Sequence, residues 1–121
     1  MIAGVYNIFC EQGTTFGRTF ELQYPDPVDP SIFHVYDLSA HMARLQVRRT
    51  VGSSAVLIEL TTENNGIEID ATLGKISVQI TSTQTSALTS SGVYDLEIVD
   101  AGGGVSRVVQ GSFTLSLEVT R

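Results

Sequence analysis

The residues able to do chemistry in this protein are few. His34 and His41 are its two histidines, and either could serve as a metal ligand or a general base. Neither has a Cys, an Asp or a second His at metal-site spacing such as HxxxH or CxxC, so both read as ordinary surface or loop histidines. Ser53 and Ser91 lie beside glycines, but the GxSxG pattern that exposes a nucleophile on a strand–turn–helix elbow is absent. A Ser-His-Asp triad assembles in space rather than along the sequence, so that arrangement stays open at this level. Asp26, Asp29 and Asp37 flank three prolines and could offer oxygens to calcium; without an EF-hand pattern, solvated loop carboxylates are the simpler reading. The triplet Gly102-Gly103-Gly104 could suggest a phosphate cradle, but such cradles lead into a helix and here a strand pattern follows. Cys10 has no partner for an internal disulfide and lies in an apolar run, as a small buried hydrophobe does. No catalytic residue, cofactor or metal ligand is assigned, and the expectation is a non-enzymatic protein.

The bulk properties narrow the classes further. A sequence of 121 residues is expected to form one domain, 1–121, large enough to bury roughly two-thirds of its unfolded surface. A formal charge of −6 argues against nucleic-acid binding, which needs a basic face. The one basic cluster, Arg44, Arg48 and Arg49, is too small to reverse that field. No stretch approaches the ~18 apolar residues of a membrane span, so no membrane insertion is expected. The start, MIAGVYNIFCEQG, does not read as a secretory signal, and a single cysteine fits a reducing compartment.

What must position any site is a set of strands. Residues 4–13 form a β-rich run, and in 14–24 Phe16, Arg18, Phe20 and Leu22 share one parity, with Arg18 the odd member. Residues 25–36, PDPVDPSIFHVY, break the rhythm and read as a long proline-rich surface loop, a candidate contact segment. In 42–49, Ala43, Leu45 and Val47 point inward while Met42, Arg44, Gln46 and Arg48 point outward. Residues 55–62 place Val56, Ile58 and Leu60 on one face and Ala55, Leu57 and Glu59 on the other. Asn-Gly then marks a turn before a short strand at 67–69. Residues 74–81 alternate through Ile76, Val78 and Ile80. A helical turn near 83–88, capped by Ser82 or Thr83, precedes a closing hairpin. In that hairpin Tyr94, Leu96 and Ile98 face Val105, Val109, Phe113, Leu115, Leu117 and Val119 around the glycine triplet, with a bulge expected near Gly111. Seven to eight short strands without covering helices imply an antiparallel β-sandwich of the immunoglobulin type, with an open barrel as the structural alternative.

Function then falls to surfaces. Leu57 is apolar on an outward parity, Val93 and Val99 lie opposite the Tyr94 face, and Arg44 and Arg48 stand ready for carboxylates. Tyr24, Phe33 and Tyr36 are aromatics outside the inward pattern. These six residues, Tyr24, Phe33, Tyr36, Arg44, Arg48 and Leu57, are the candidate partner contacts. A glycan-binding module would use the three aromatics to stack on sugar rings, which keeps that class open.

The segments YNIFCEQGTTFGRTFEL, DLSAHMARLQVRRTVGSSAVLIELTTENNGIEI and GKISVQITSTQTSALTSSGVYDLEIVDAGGGVSRVVQGSFTLSLEVTR span nearly the whole sequence. Together they resemble a family of small tailed-bacteriophage proteins related in pattern to the N-terminal domain of the upper baseplate protein of lactococcal phages. The resemblance rests on an opening strand pair with a Glu-Gln-Gly turn, a DLS step into a strand with Ala-Arg, YDLE, and a glycine-rich hairpin closing in EVTR. It implies an immunoglobulin-like virion component, made in the host cytoplasm, that assembles in several copies with itself and with other virion structural proteins. Tail or baseplate, neck or fibre attachment are the positions it implies. The alternative is a glycan-binding or capsid-decorating module at the host or virion surface. Relatives of this kind carry a stalk to receptor-binding modules, whereas this sequence stops at Arg121, and its segment 25–36 is longer than the turn expected there.

Overall fold

In the computed structural model, which describes residues 3–120, the protein is an all-β sandwich with one short helix. Its elements are β1 (Gly4–Val5), β2 (Ile8–Glu11), β3 (Phe16–Glu21), β4 (Gln23–Pro25), β5 (Phe33–Val35), β6 (Met42–Arg48), β7 (Ile58–Thr61), β8 (Ile67–Asp70), β9 (Lys75–Ile80), α1 (Ser82–Ser86), β10 (Gly92–Val99) and β11 (Val105–Ser116). The larger sheet runs β1-β11-β10-β6-β7, with β2 also paired to β11; the smaller runs β3-β9-β8. Their inner faces meet in one core built from Ile8, Leu45, Leu60, Leu96 and Phe113 on the large sheet and Phe20, Ile76, Val78 and Ile80 on the small one. The alternation that carries this is plain in β6, where Ala43, Leu45 and Val47 are buried between exposed or half-buried neighbours.

The expected seven to eight strands become eleven among the described residues. The additions are two- and three-residue strands too short for any period to show. The opening runs also pair differently from the expectation. β1 and β2 do not pair with β3; both lie parallel to β11, Gly4 opposite Val109 and Ile8 opposite Phe113, and Glu11–Gly13 leads across to the small sheet. Gly13 makes that step at φ +85°, a left-handed conformation glycine adopts without strain.

Residues 25–36 are not an open loop. Gln23–Pro25 and Phe33–Val35 pair as an antiparallel hairpin. The amide of Asp26 donates to the Ile32 carbonyl at 2.8 Å and that of Tyr36 to the Leu22 carbonyl at 3.0 Å. This register turns the nitrogen of Pro25 outward, so its missing N–H costs the ladder nothing. The proline signal was real, but it marks a hairpin whose strands tolerate proline.

Three boundaries also move. The strand expected over 55–62 begins only at Ile58, and Leu57 precedes it, half-buried against the core and donating its N–H to the Val47 carbonyl at 2.8 Å. The helix spans Ser82–Ser86 and is capped by Thr81, not by Ser82 or Thr83. Thr81 and Gln84 form a reciprocal capping box, each side chain accepting from the other's backbone N–H. The bulge in β11 falls between the partners of Leu96 and Glu97, at Val108, so that Val108 and Val109 are both buried; it is not at Gly111. Past Ser116 the strand has ended, and Leu117 and Val119, expected inward, are exposed.

Candidate interaction site

The β4–β5 hairpin carries five large apolar or aromatic side chains exposed to solvent. Val28 at its tip is 92% exposed and Phe33 61%, with Ile32, Val35 and Tyr24 also open to solvent. Exposed apolar clusters of this kind mark candidate interaction surfaces. It stands on a fixed base: the Leu22 amide donates to the Gly74 carbonyl at 2.8 Å, and Gly74 lies where a β-carbon would come within 2.7 Å of Val35 Cγ1.

The loop at the tip is held by its own carboxylates. Asp26 Oδ1 accepts from the amides of Val28 at 2.8 Å and Asp29 at 3.1 Å, and its Oδ2 meets His34 Nε2 at 2.8 Å. Asp29 accepts from the Ser31 amide and hydroxyl, and Asp37 from the Ser39 amide and hydroxyl. These bonds hold all three carboxyls below the ordinary aspartate range: the His34 bond is the main cause for Asp26, the Ser31 hydroxyl for Asp29 and the Ser39 hydroxyl for Asp37. The three carboxylates considered for calcium are thus turn-formers, and among the described residues no group of three His, Cys, Asp or Glu is placed to hold a metal ion.

The hairpin register sorts the aromatics. Tyr24, His34 and Tyr36 share one face, with Tyr24 and Tyr36 edge-on at 5.2 Å between centroids and the His34 ring tilted against Tyr24 at 5.4 Å. Phe33, Pro25 and Val35 lie on the other face. A shallow groove runs from Tyr24 and Tyr36 past Gln23, Glu21 and Arg18 toward Val108. The Arg18 guanidinium lies over the Tyr6 ring, 4.6 Å from its centroid, which accounts for a charge at an inward parity. His41 is elsewhere, bonding the Ser39 carbonyl through Nδ1 at 2.9 Å.

Arg44 and Arg48 are engaged within the protein. On the outer face of the large sheet Arg44 bonds Glu97 at 2.9 Å, and Arg107 lies 3.3 Å from Asp95. Arg48 donates to the Ser53 and Ser54 carbonyls and to Gln46 Oε1. Cross-strand register lines up Arg107, Glu97 and Arg44 in one row and Gln110, Asp95, Gln46 and Glu59 in the next. Desolvation between strands, and then Glu97, push the Asp95 carboxyl upward. Two arginine–carboxylate pairs, with Arg48 and Glu59 both bonded to Gln46, leave this face nearly neutral, and it offers a partner few free cations.

The structure therefore gathers Tyr24, Phe33 and Tyr36 on one hairpin and places Arg44, Arg48 and Leu57 apart from it. Sequence reading missed Val28 and Ile32; their signal was two β-branched residues isolated among prolines, with no strand to bury them. Compared with known protein families and with curated proteins, the sequence matches none.

Proposed function

We propose that this protein is a non-enzymatic structural component of a tailed-phage particle, of the tail, baseplate, neck or fibre-attachment region, working as an immunoglobulin-like adaptor that docks on other virion proteins and on copies of itself. The sequence resemblance supplies the virion context. The observation that carries the docking role is the β4–β5 hairpin, which presents Val28, Ile32, Phe33 and Val35 to solvent on a base fixed to the sandwich. Residues of this type, projecting together, gain most when a partner covers them. The test is mass spectrometry of purified particles carrying wild-type or Phe33→Asp protein. The wild-type protein is expected in intact particles and the variant is expected to be depleted; absence of the wild-type protein removes the proposal.

One observation favours a second reading. Tyr24 and Tyr36, beside the polar side chains of Gln23, Glu21 and Arg18, form a surface suited to stacking on a sugar ring, which fits a glycan-binding or capsid-decorating module. Saccharide titration followed by tyrosine fluorescence separates the two, since that reading requires Tyr24→Ala to abolish binding while particle assembly proceeds.

A further inference from the structure

The link between β7 and β8 carries Asn64-Asn65-Gly66, and of the three asparagines in the sequence only Asn65 precedes a glycine. The fold dictates both members of that pair. Asn65 sits at φ +66°, a left-handed conformation that asparagine tolerates better than most residues. A β-carbon at position 66 would come within 2.7 Å of Cδ2 of the buried Leu60, so the position takes glycine. The turn thus sets an exposed asparagine before a half-buried glycine, a residue with no side chain to stand between the asparagine amide and the following backbone nitrogen.

The chemistry needs only water. The Gly66 nitrogen, once its proton is lost to base, bonds to Asn65 Cγ; the bond between Cγ and Nδ2 breaks and ammonia leaves, giving a five-membered succinimide. Water then opens either ring carbonyl, leaving aspartate or isoaspartate at position 65.

Native hydrogen bonds oppose that ring closure. The Gly66 N–H donates to Asn64 Oδ1 at 2.8 Å, and the Gly66 carbonyl accepts from the Gln79 amide at 2.9 Å. The Asn64 amide group is itself fixed, its Oδ1 accepting from the Thr61 N–H at 2.9 Å and its Nδ2 donating to the Glu59 carbonyl at 3.1 Å. For the ring to form, Gly66 must leave these partners and its nitrogen must swing toward Asn65 Cγ. We propose that Asn65–Gly66 is a site of spontaneous deamidation, and that Asn64 is the positioning residue that holds it closed in the folded protein.

The experiment ages the full-length protein at mildly alkaline pH and maps products by peptide mass spectrometry with isoaspartyl-specific methylation. Deamidation at Asn65 is expected to be about tenfold or more faster in urea-unfolded than in native protein, the population cost of first opening one or two hydrogen bonds. Folded Asn64→Ala, which frees the Gly66 N–H but keeps the Gln79 bond, is expected to deamidate several-fold faster than folded wild type. Asn64→Asp, which keeps an oxygen for the Thr61 and Gly66 amides, is expected to stay near wild type. Equal rates in native and unfolded protein, or an Asn64→Ala rate equal to wild type, overturn the proposal, as does product appearing first at Asn7 or Asn64. If Asn64→Ala does not fold, the native-to-unfolded comparison and Asn64→Asp decide, a fast Asn64→Asp being the overturning result.

Discussion

Tyr94 carries a polar end into the core. Its ring is buried and its hydroxyl donates to the Tyr6 carbonyl at 2.5 Å, tying the segment between β1 and β2 to the centre of the large sheet. Burial and the nearby Tyr6 hydroxyl push its phenol up to about 12. Because the folded value is raised, the stability it contributes is complete below the unfolded value of about 10 and disappears as pH rises toward the folded one. Tyr94→Phe is expected to cost about 1–3 kcal/mol in urea unfolding at neutral pH, since it strands a carbonyl. The variant should also lose less stability than wild type as the solution is made strongly alkaline. Asp26 has the opposite sign. Its folded value is lowered, so its contribution is present above the unfolded value of about 3.9 and is lost as pH falls through the lower folded one. Amide exchange followed by NMR should therefore show Val28 and Asp29 losing protection in acid while core amides keep theirs.

Among the elements, the crossing of β1–β2 over β11 is the most exacting. Tyr6 donates its amide to the Gln110 carbonyl at 3.0 Å, and Asn7 Oδ1 accepts the Ser112 amide at 3.1 Å. A β-carbon on Gly111 would lie 2.2 Å from the Tyr6 carbonyl oxygen, whereas one on Gly17 would meet only Val78 O at 3.9 Å. Gly111→Ala is expected to destabilise by about 1–3 kcal/mol in chemical denaturation. Gly17→Ala is expected to be neutral or stabilising by a few tenths. These cases show what the sequence could convey. The strands with long alternation, β6, β9 and β10, were legible because one buried face imposes a two-residue rhythm. Leu57, Leu117 and Val119 broke the reading because a residue beyond a strand's end no longer obeys that rhythm. The parallel pairing of β1 and β2 with β11 leaves no local trace, since partners about a hundred positions apart share no turn. Gly111 looked like a bulge for a related reason: its need is the close approach of a distant segment.

For the whole molecule, paired charges and excess acid lie on different surfaces. The outer face of the large sheet is internally balanced, so the acid excess lies elsewhere, including Asp26, Asp29 and Asp37 in and beside the hairpin. The site was half legible: its aromatics stood out, but their grouping required the hairpin register. Because Val28 and Phe33 lie outside the core cluster, replacing both with Ser is expected to leave stability within about 0.5 kcal/mol of wild type. Calorimetry checks this, and a large loss would mean the hairpin packs where it stands exposed. The parallel docking of β1 and β2 on β11 also bears on synthesis. Strands β1 and β2, made early, must wait for β11 before their backbone ladder can close, so Ile8 and Cys10 stay wet until β11 has been made. Closure of the finished sandwich then waits for β11, and a nascent polypeptide stalled before Val105 should bind holdase chaperones and resist compaction.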